Sequence, residues 1–221
     1  MFSWIGRSVS SAGGKQTILA LTGLTLVGYL VLHLLGNLTL YTGGVEGLNE
    51  YSASLEALGV LLQVAEIGLL VLFVLHVGLA LRITRENNLA RADSEQARAS
   101  LDNPPATGPT LAITGLVVLA FLVIHLIDFR VPNLAAEIDD LGGALVERLA
   151  QPLGAGLYLV GVLALGMHMW HAIPRAIQTL WPDPSPWSPL LRGLETTLPV
   201  LLTIGFASFP IYCLLTRAGG P

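Results

Sequence analysis

The chain reads as an all-α membrane protein: five transmembrane helices in a single bundle. Three observations predict this. Of 221 residues, 53% are hydrophobic and only 12% charged, about half the charge fraction of an ordinary soluble domain. The apolar residues stand in blocks of about 20 or more, the length a helix needs to cross a bilayer. The blocks lack the polar alternation of spanning strands, so helices are left to satisfy the backbone in lipid.

The first segment runs over 16–41, and no charged residue lies between Lys15 and Glu46. The second covers 59–83 and holds one acid, Glu66. The third covers 109–129, the fourth 152–174 and the fifth 194–215. Pro109 and Pro152 sit at helix starts, where a missing N–H is harmless. The Pro-rich stretch 181–189 reads as a rigid surface loop. The stretch 86–108, charged and then Pro-rich, reads as a connector. The expectation is one domain over 1–221 with no clear internal repeat. The first block is too long for a cleavable signal peptide. The single cysteine, Cys213, excludes an internal disulfide and a thiolate-built cluster, and is expected simply to pack.

Orientation follows from the basic residues. With the N-terminus inside, Arg7, Lys15, Arg82, Arg85, Arg91, Arg98, Arg175 and Arg192 fall inside. Arg130, Arg148 and Arg217 fall outside, which agrees with the positive-inside rule. Five crossings then put the C-terminus outside. A net charge of −4 argues against a nucleic-acid partner.

The five histidines, His33, His76, His125, His168 and His171, all lie in these apolar segments. Ionisable groups are costly in a bilayer, so each is a candidate functional residue. A rise of about 1.5 Å per residue converts offsets into depths. His33 and His125 lie about 12 and 8 Å below the outer surface, and His76 and His168 about 9 and 10 Å from the inner one. Helices one and three thus supply an outer pair, and helices two and four an inner pair. The two layers are separated by roughly 10 to 15 Å in a core about 30 Å thick. His171, three residues after His168 on the same face, is an equally good inner ligand by geometry. Two stacked haems with paired axial histidines require this pattern. Two imidazoles fill the iron's axial positions, which suits electron transfer and not oxygen chemistry. Gly36, Gly78 and Gly166, close to the histidines in sequence, are expected to make room for a flat macrocycle. A metal transporter is the competing reading, but it calls for acids at histidine depth. Only Glu66 and Asp128 lie in or at the ends of spans. For Glu66 a hydrogen-bonded helix contact is favoured over a proton relay.

Haem propionates sit best against Arg, Lys or backbone N–H groups. Arg82 and Arg175 are the inner candidates, with His171 as a hydrogen-bond partner. Asn37, Tyr41 and Arg130 are the outer ones. A quinone needs an apolar slot and a proton donor or acceptor. Glu46, Glu50 or Glu56 would serve at the outer end, and Ser11, Lys15, Trp170 or His171 at the inner end.

Several stretches resemble a known family. The first is Lys15-Gln-Thr-Ile-Leu-Ala-Leu-Thr-Gly23 followed by His33-Leu-Leu-Gly-Asn37. Next come Asn49-Glu-Tyr-Ser-Ala-Ser-Leu55, then Glu66 ten residues before His76, and Asn87-Asn88. His125-Leu-Ile-Asp-Phe-Arg130 and His168-Met-Trp-His171, with Ala176-Ile-Gln-Thr-Leu180, complete the set. In this order they resemble the single-chain, five-helix, di-haem cytochrome b membrane-anchor subunit of succinate dehydrogenases and fumarate reductases. The likeness covers nearly everything from Ser10 to about Leu180. It implies His33 with His125 and His76 with His168 as ligands of two haem b groups. It selects His168 over His171. The family has glycine after the second histidine of the fourth helix and a small polar residue three further on; here Ala172 and Arg175 stand there.

The resemblance further implies a flavoprotein and an iron–sulfur subunit as partners, docked on the inner basic face. Electrons would pass between the iron–sulfur subunit and a membrane quinone, with menaquinone suggested by the two-haem subtype. The setting would be the cytoplasmic membrane of a prokaryote. In di-haem relatives, quinone chemistry at the outer end makes turnover sensitive to membrane potential. The chain carries no dinucleotide fingerprint and no cysteine set for the partners' cofactors. The alternative is a di-haem cytochrome b subunit of another respiratory complex, of the hydrogenase or formate dehydrogenase type.

Overall fold

A computed structural model describes residues 11–95, 108–135, 139–181 and 188–218. They are almost wholly helical, with no strand among them. Five helices are long and apolar enough to cross a membrane, and their exposed leucines, valines and isoleucines form the surface that lipid would cover.

Helix α1 (Ala12–Asn37) opens at Ser11, whose hydroxyl accepts the Gly14 N–H at 3.0 Å. This cap satisfies one of the orphan donors of the first turn. The chain turns at Leu38, short of the expected end of the first span at Tyr41, and continues as α2 (Thr39–Glu56). Gly44, at φ 65° and ψ −154°, kinks α2. Gly59, at φ 55°, ends the turn before the next helix. Positive φ is the conformation glycine adopts without steric cost.

Helix α3 (Val60–Glu95) has 36 residues. At 1.5 Å each it is about 54 Å long, well beyond a 30 Å hydrocarbon core. It therefore passes Ile83, where the sequence placed its end. The charged run that follows lacks glycine and proline, and its Arg, Glu, Leu and Ala residues are sound helix formers.

Helix α4 (Gly108–His125) runs into a π-helical turn, Leu126–Arg130, and a short α5 (Val131–Leu134). Pro132 has no N–H for the Asp128 carbonyl, which loosens the α-helical register there. Helix α6 (Leu141–Ala150) is capped by Asp140, which accepts the Gly143 N–H at 2.7 Å. Helix α7 (Pro152–Leu180) begins on its proline and contains Pro174. Helix α8 (Ser188–Ala218) contains Pro199 and Pro210. Pro174 was the expected end of the fourth span. The helix runs through it, as spanning helices do when neighbours cover the freed carbonyl.

Four helices form a ring. Helix α1 packs on α3 and α7, α4 packs on α7, and α3 and α4 touch lightly. The opposite members, α1 with α4 and α3 with α7, are not packed closely on each other. Helix α8 lies outside the ring, mainly on α7, with contacts to α1 and α6. Leu40, Phe129, Leu149, Tyr158, Phe209 and Cys213 form one buried cluster toward the end where α1 turns into α2. Met169, Ile173, Ile177 and Leu202 form a second toward the other end. Cys213 is wholly buried in the first, in accord with a packing role.

Candidate functional site

Two of the histidines meet across a diagonal of the ring. His33 on α1 and His125 on α4 bring their ring centroids to 5.9 Å with planes at 90°. Tyr29 stacks on His33 at 5.5 Å, and Phe206 of α8 lies 5.7 Å away. Phe121, Phe129 and Tyr158 surround His125. His76 on α3 and His168 on α7 lie on the other two helices, His76 against Thr22 of α1 and His168 against Thr114 of α4.

The levels have a measurable spacing. Thr22 of α1 meets His76, its Oγ1 lying 3.1 Å from Nδ1. His33 follows Thr22 by eleven residues on the same helix, about 16 Å along the axis. Eleven residues are close to three turns, so the two side chains share a face. The separation is slightly larger than the depth estimate from sequence.

The inner pair is held by a feature the sequence reading passed over. Thr114 of α4 stands 3.3 Å from His168 Nδ1, as Thr22 does from His76, and in both cases the histidine follows its threonine by 54 residues. The glycines beside them make room. A Cβ on Gly23 would lie 3.1 Å from His76 Cε1, and one on Gly115 would lie 3.3 Å from His168 Cε1. Leu19-Ala-Leu-Thr-Gly-Leu24 and Leu111-Ala-Ile-Thr-Gly-Leu116 are near copies. One offset of 92 residues carries Thr22 to Thr114, Gly23 to Gly115, His33 to His125 and His76 to His168. The chain therefore does contain an internal repeat. Each copy is a two-helix hairpin with one histidine at each level. The repeat escapes a reading by hydropathy because the apolar residues between these anchors vary freely.

Of the glycines expected beside the macrocycle, two face other side chains and one faces open space. Gly36 faces the ring of Tyr51 and Gly166 faces Thr203, while nothing lies within 4 Å of a Cβ placed on Gly78. The glycines in contact with imidazoles are Gly23 and Gly115.

The remaining predicted residues divide between the two ends. At one end Lys15 is buried and ion-paired with Glu86, which also accepts from Arg82 at 3.0 Å. His171 Nδ1 bonds the Met167 carbonyl of its own helix at 2.8 Å. Trp170 and Arg175 are exposed, and Ser11 caps α1. At the other end Asn37 donates to the His33 carbonyl at 2.7 Å. Tyr41 bonds Ser208 at 2.8 Å and stacks on Phe209, which ties it to α8. Arg130 donates to Glu66 at 2.6 Å and to Asn133 at 2.8 Å, so Glu66 is a helix-to-helix contact. Asp128 accepts from Arg148 and from Tyr158, each at 2.9 Å. Glu46 and Glu50 are exposed, and Glu56 accepts from Asn133 at 3.3 Å. Arg7, Arg98 and the greater part of the 181–189 loop lie outside the described residues.

The donor set can be tested for haem. Among the described residues no three His, Cys, Asp or Glu side chains gather to hold a metal ion. The imidazoles converge in twos, which suits an ion that arrives with four in-plane donors of its own. His33 and His125, with ring centroids 5.9 Å apart, would hold such a group between them. His125 Nδ1 is buried without a hydrogen-bond partner, an unusual condition for a buried polar atom. Compared with models of protein families, with curated proteins and with solved structures, the chain matches none.

Proposed function

We propose that this chain is the di-haem cytochrome b anchor of a succinate:quinone oxidoreductase. In this reading it carries electrons between an iron–sulfur subunit and a membrane quinone, with menaquinone the expected type. The observation that carries the reading is the pairing of His33 and His125 across one diagonal of a four-helix ring, with His76 and His168 on the other two helices at a second level. The helices that carry each couple do not pack closely on each other, as a flat ring lying between them would require. Haem bound there would supply one-electron transfer with no axial position open to oxygen.

The chain's own residues do the rest. His33 and His125 hold the outer site, and His76 and His168 the inner one. Tyr29, Phe121, Phe129 and Phe206 wall the outer site with apolar surface and keep water out. Lys15 and Arg82, already gathered on Glu86, supply cations at the inner end for propionates or for the quinone. Arg130, Asn37 and Tyr41 remain the outer candidates, and Arg175, His171 and Trp170 the other inner ones. The flavoprotein and iron–sulfur partners dock on the inner side, at the end of α3 and the 175–192 segment. The membrane is a prokaryotic cytoplasmic membrane, with the N-terminus inside and the C-terminus outside.

The test is purification from membranes followed by haem quantitation and peptide identification. Two b-type haems per chain, reduced on adding succinate to a complex that contains a flavoprotein, are expected. Two haems with a hydrogenase or formate dehydrogenase as companion would reassign the complex. A colourless protein would end the haem reading.

A further inference from the structure

The two levels differ in what stands behind their imidazoles. A hydroxyl has one proton to donate. Thr22 Oγ1 lies 2.9 Å from the Ile18 carbonyl and 3.0 Å from that of Leu19. Thr114 Oγ1 lies 2.8 Å from the Thr110 carbonyl and 3.3 Å from that of Leu111. Both protons are therefore given to the threonine's own helix. What each hydroxyl offers the neighbouring ring is a lone pair, so the hydrogen of that contact belongs to Nδ1. A neutral imidazole with its hydrogen on Nδ1 has its free lone pair on Nε2. Gly23 and Gly115 let the ring edges approach closely enough for these bonds. At the outer level His125 Nδ1 has no such partner.

We infer that Thr22 and Thr114 are positioning residues that hold His76 and His168 as Nε2 donors and set the inner haem apart from the outer one. The inference rests on the haem reading above. A hydrogen bond from the distal ring nitrogen orients a ligating histidine and raises its basicity. A more basic axial ligand favours ferric over ferrous iron. Two backed ligands therefore lower the potential of the inner haem relative to a site with an unbacked one.

The experiment is a redox titration of the purified complex, followed optically and by low-temperature EPR, for T22V and T114V. Valine keeps the volume and removes the acceptor. Each variant is expected to raise the midpoint potential of one haem, the same haem in both, and to move its low-spin EPR signal. T22S and T114S, which restore the hydroxyl, return both readouts to wild type. T25V serves as the control, since Thr25 bonds the Leu21 carbonyl on an exposed face, and it should move neither haem. Loss of only the inner haem in the valine variants, restored by serine, supports the same assignment. Two haems retained with both potentials unchanged, or both moved alike, overturns it. A wild-type protein without haem overturns the functional reading first and this inference with it.

Discussion

His33 and His125 sit within contact of one another although 92 residues separate them in the chain. If they ligate one haem, H33L and H125L should each fall from two haems to one, and the double variant should fall no further. H76L and H168L should lose the other haem. Pyridine haemochrome quantitation reads this directly, and a variant that keeps both haems removes its residue from the ligand set. H171L should keep both, since His171 is bonded to its own helix. The Glu66–Arg130 pair makes a different prediction. Its side chains are 38% and 32% exposed, so solvent screens part of the attraction. A cycle of E66L, R130L and the double variant should give a coupling of about 1 kcal/mol in detergent unfolding. A coupling near zero would mean that the pair only satisfies local hydrogen bonds.

Helix α6 is tied to α2 by its cap. Asn49 donates to Asp140 at 2.7 Å and accepts the Gly142 N–H at 2.7 Å. The Asn49 hydrogen bond, and next that of the Gly143 N–H, hold the Asp140 carboxyl below the usual carboxylate range. A lowered folded-state pKa contributes stability above the unfolded value, near 3.8, and loses it as pH falls through the folded one. Amide exchange at Gly142 and Gly143 should therefore be faster in D140A than in wild type at neutral pH. The difference should vanish in strong acid; a difference unchanged there would exclude the carboxylate as the source.

This junction also shows where the sequence was opaque. Five apolar blocks and four histidines at matched depths mark the spans and both levels, because lipid enforces length and polarity together. The 39–56 and 141–150 stretches are glycine-rich and only partly apolar, and their helicity comes from packing on each other and on the bundle. Nor did spacing alone distinguish Gly23 from Gly36, since which glycine faces an imidazole depends on how one helix is rotated against its neighbour. Proline at 174 looked like a stop; in a covered helix it costs one hydrogen bond.

At the scale of the molecule, charge is distributed by side. Lys15, Arg82 and Glu86 mark one end of the ring, while Glu66, Arg130, Asp128 and Arg148 mark the other. A protease site added at the C-terminus should be cut in right-side-out vesicles and protected in inverted ones. The opposite pattern would reverse the assigned topology and exchange the inner and outer levels. If quinone reacts at the Glu66–Arg130 end, an imposed membrane potential should change the quinone-coupled rate in proteoliposomes. An unchanged rate would move quinone chemistry to the Lys15 end.

The twofold arrangement of hairpins has a consequence for assembly. Each half owns one imidazole for each level and would therefore supply half of the ligands of each proposed haem. Two fragments, parted anywhere in 96–107 and expressed separately, would each be colourless. Co-expressed, they should regain a reduced-minus-oxidised pigment spectrum, because the porphyrins would rivet the two polypeptides together at two points. The metal centres would then be fasteners of the scaffold as well as stations for charge.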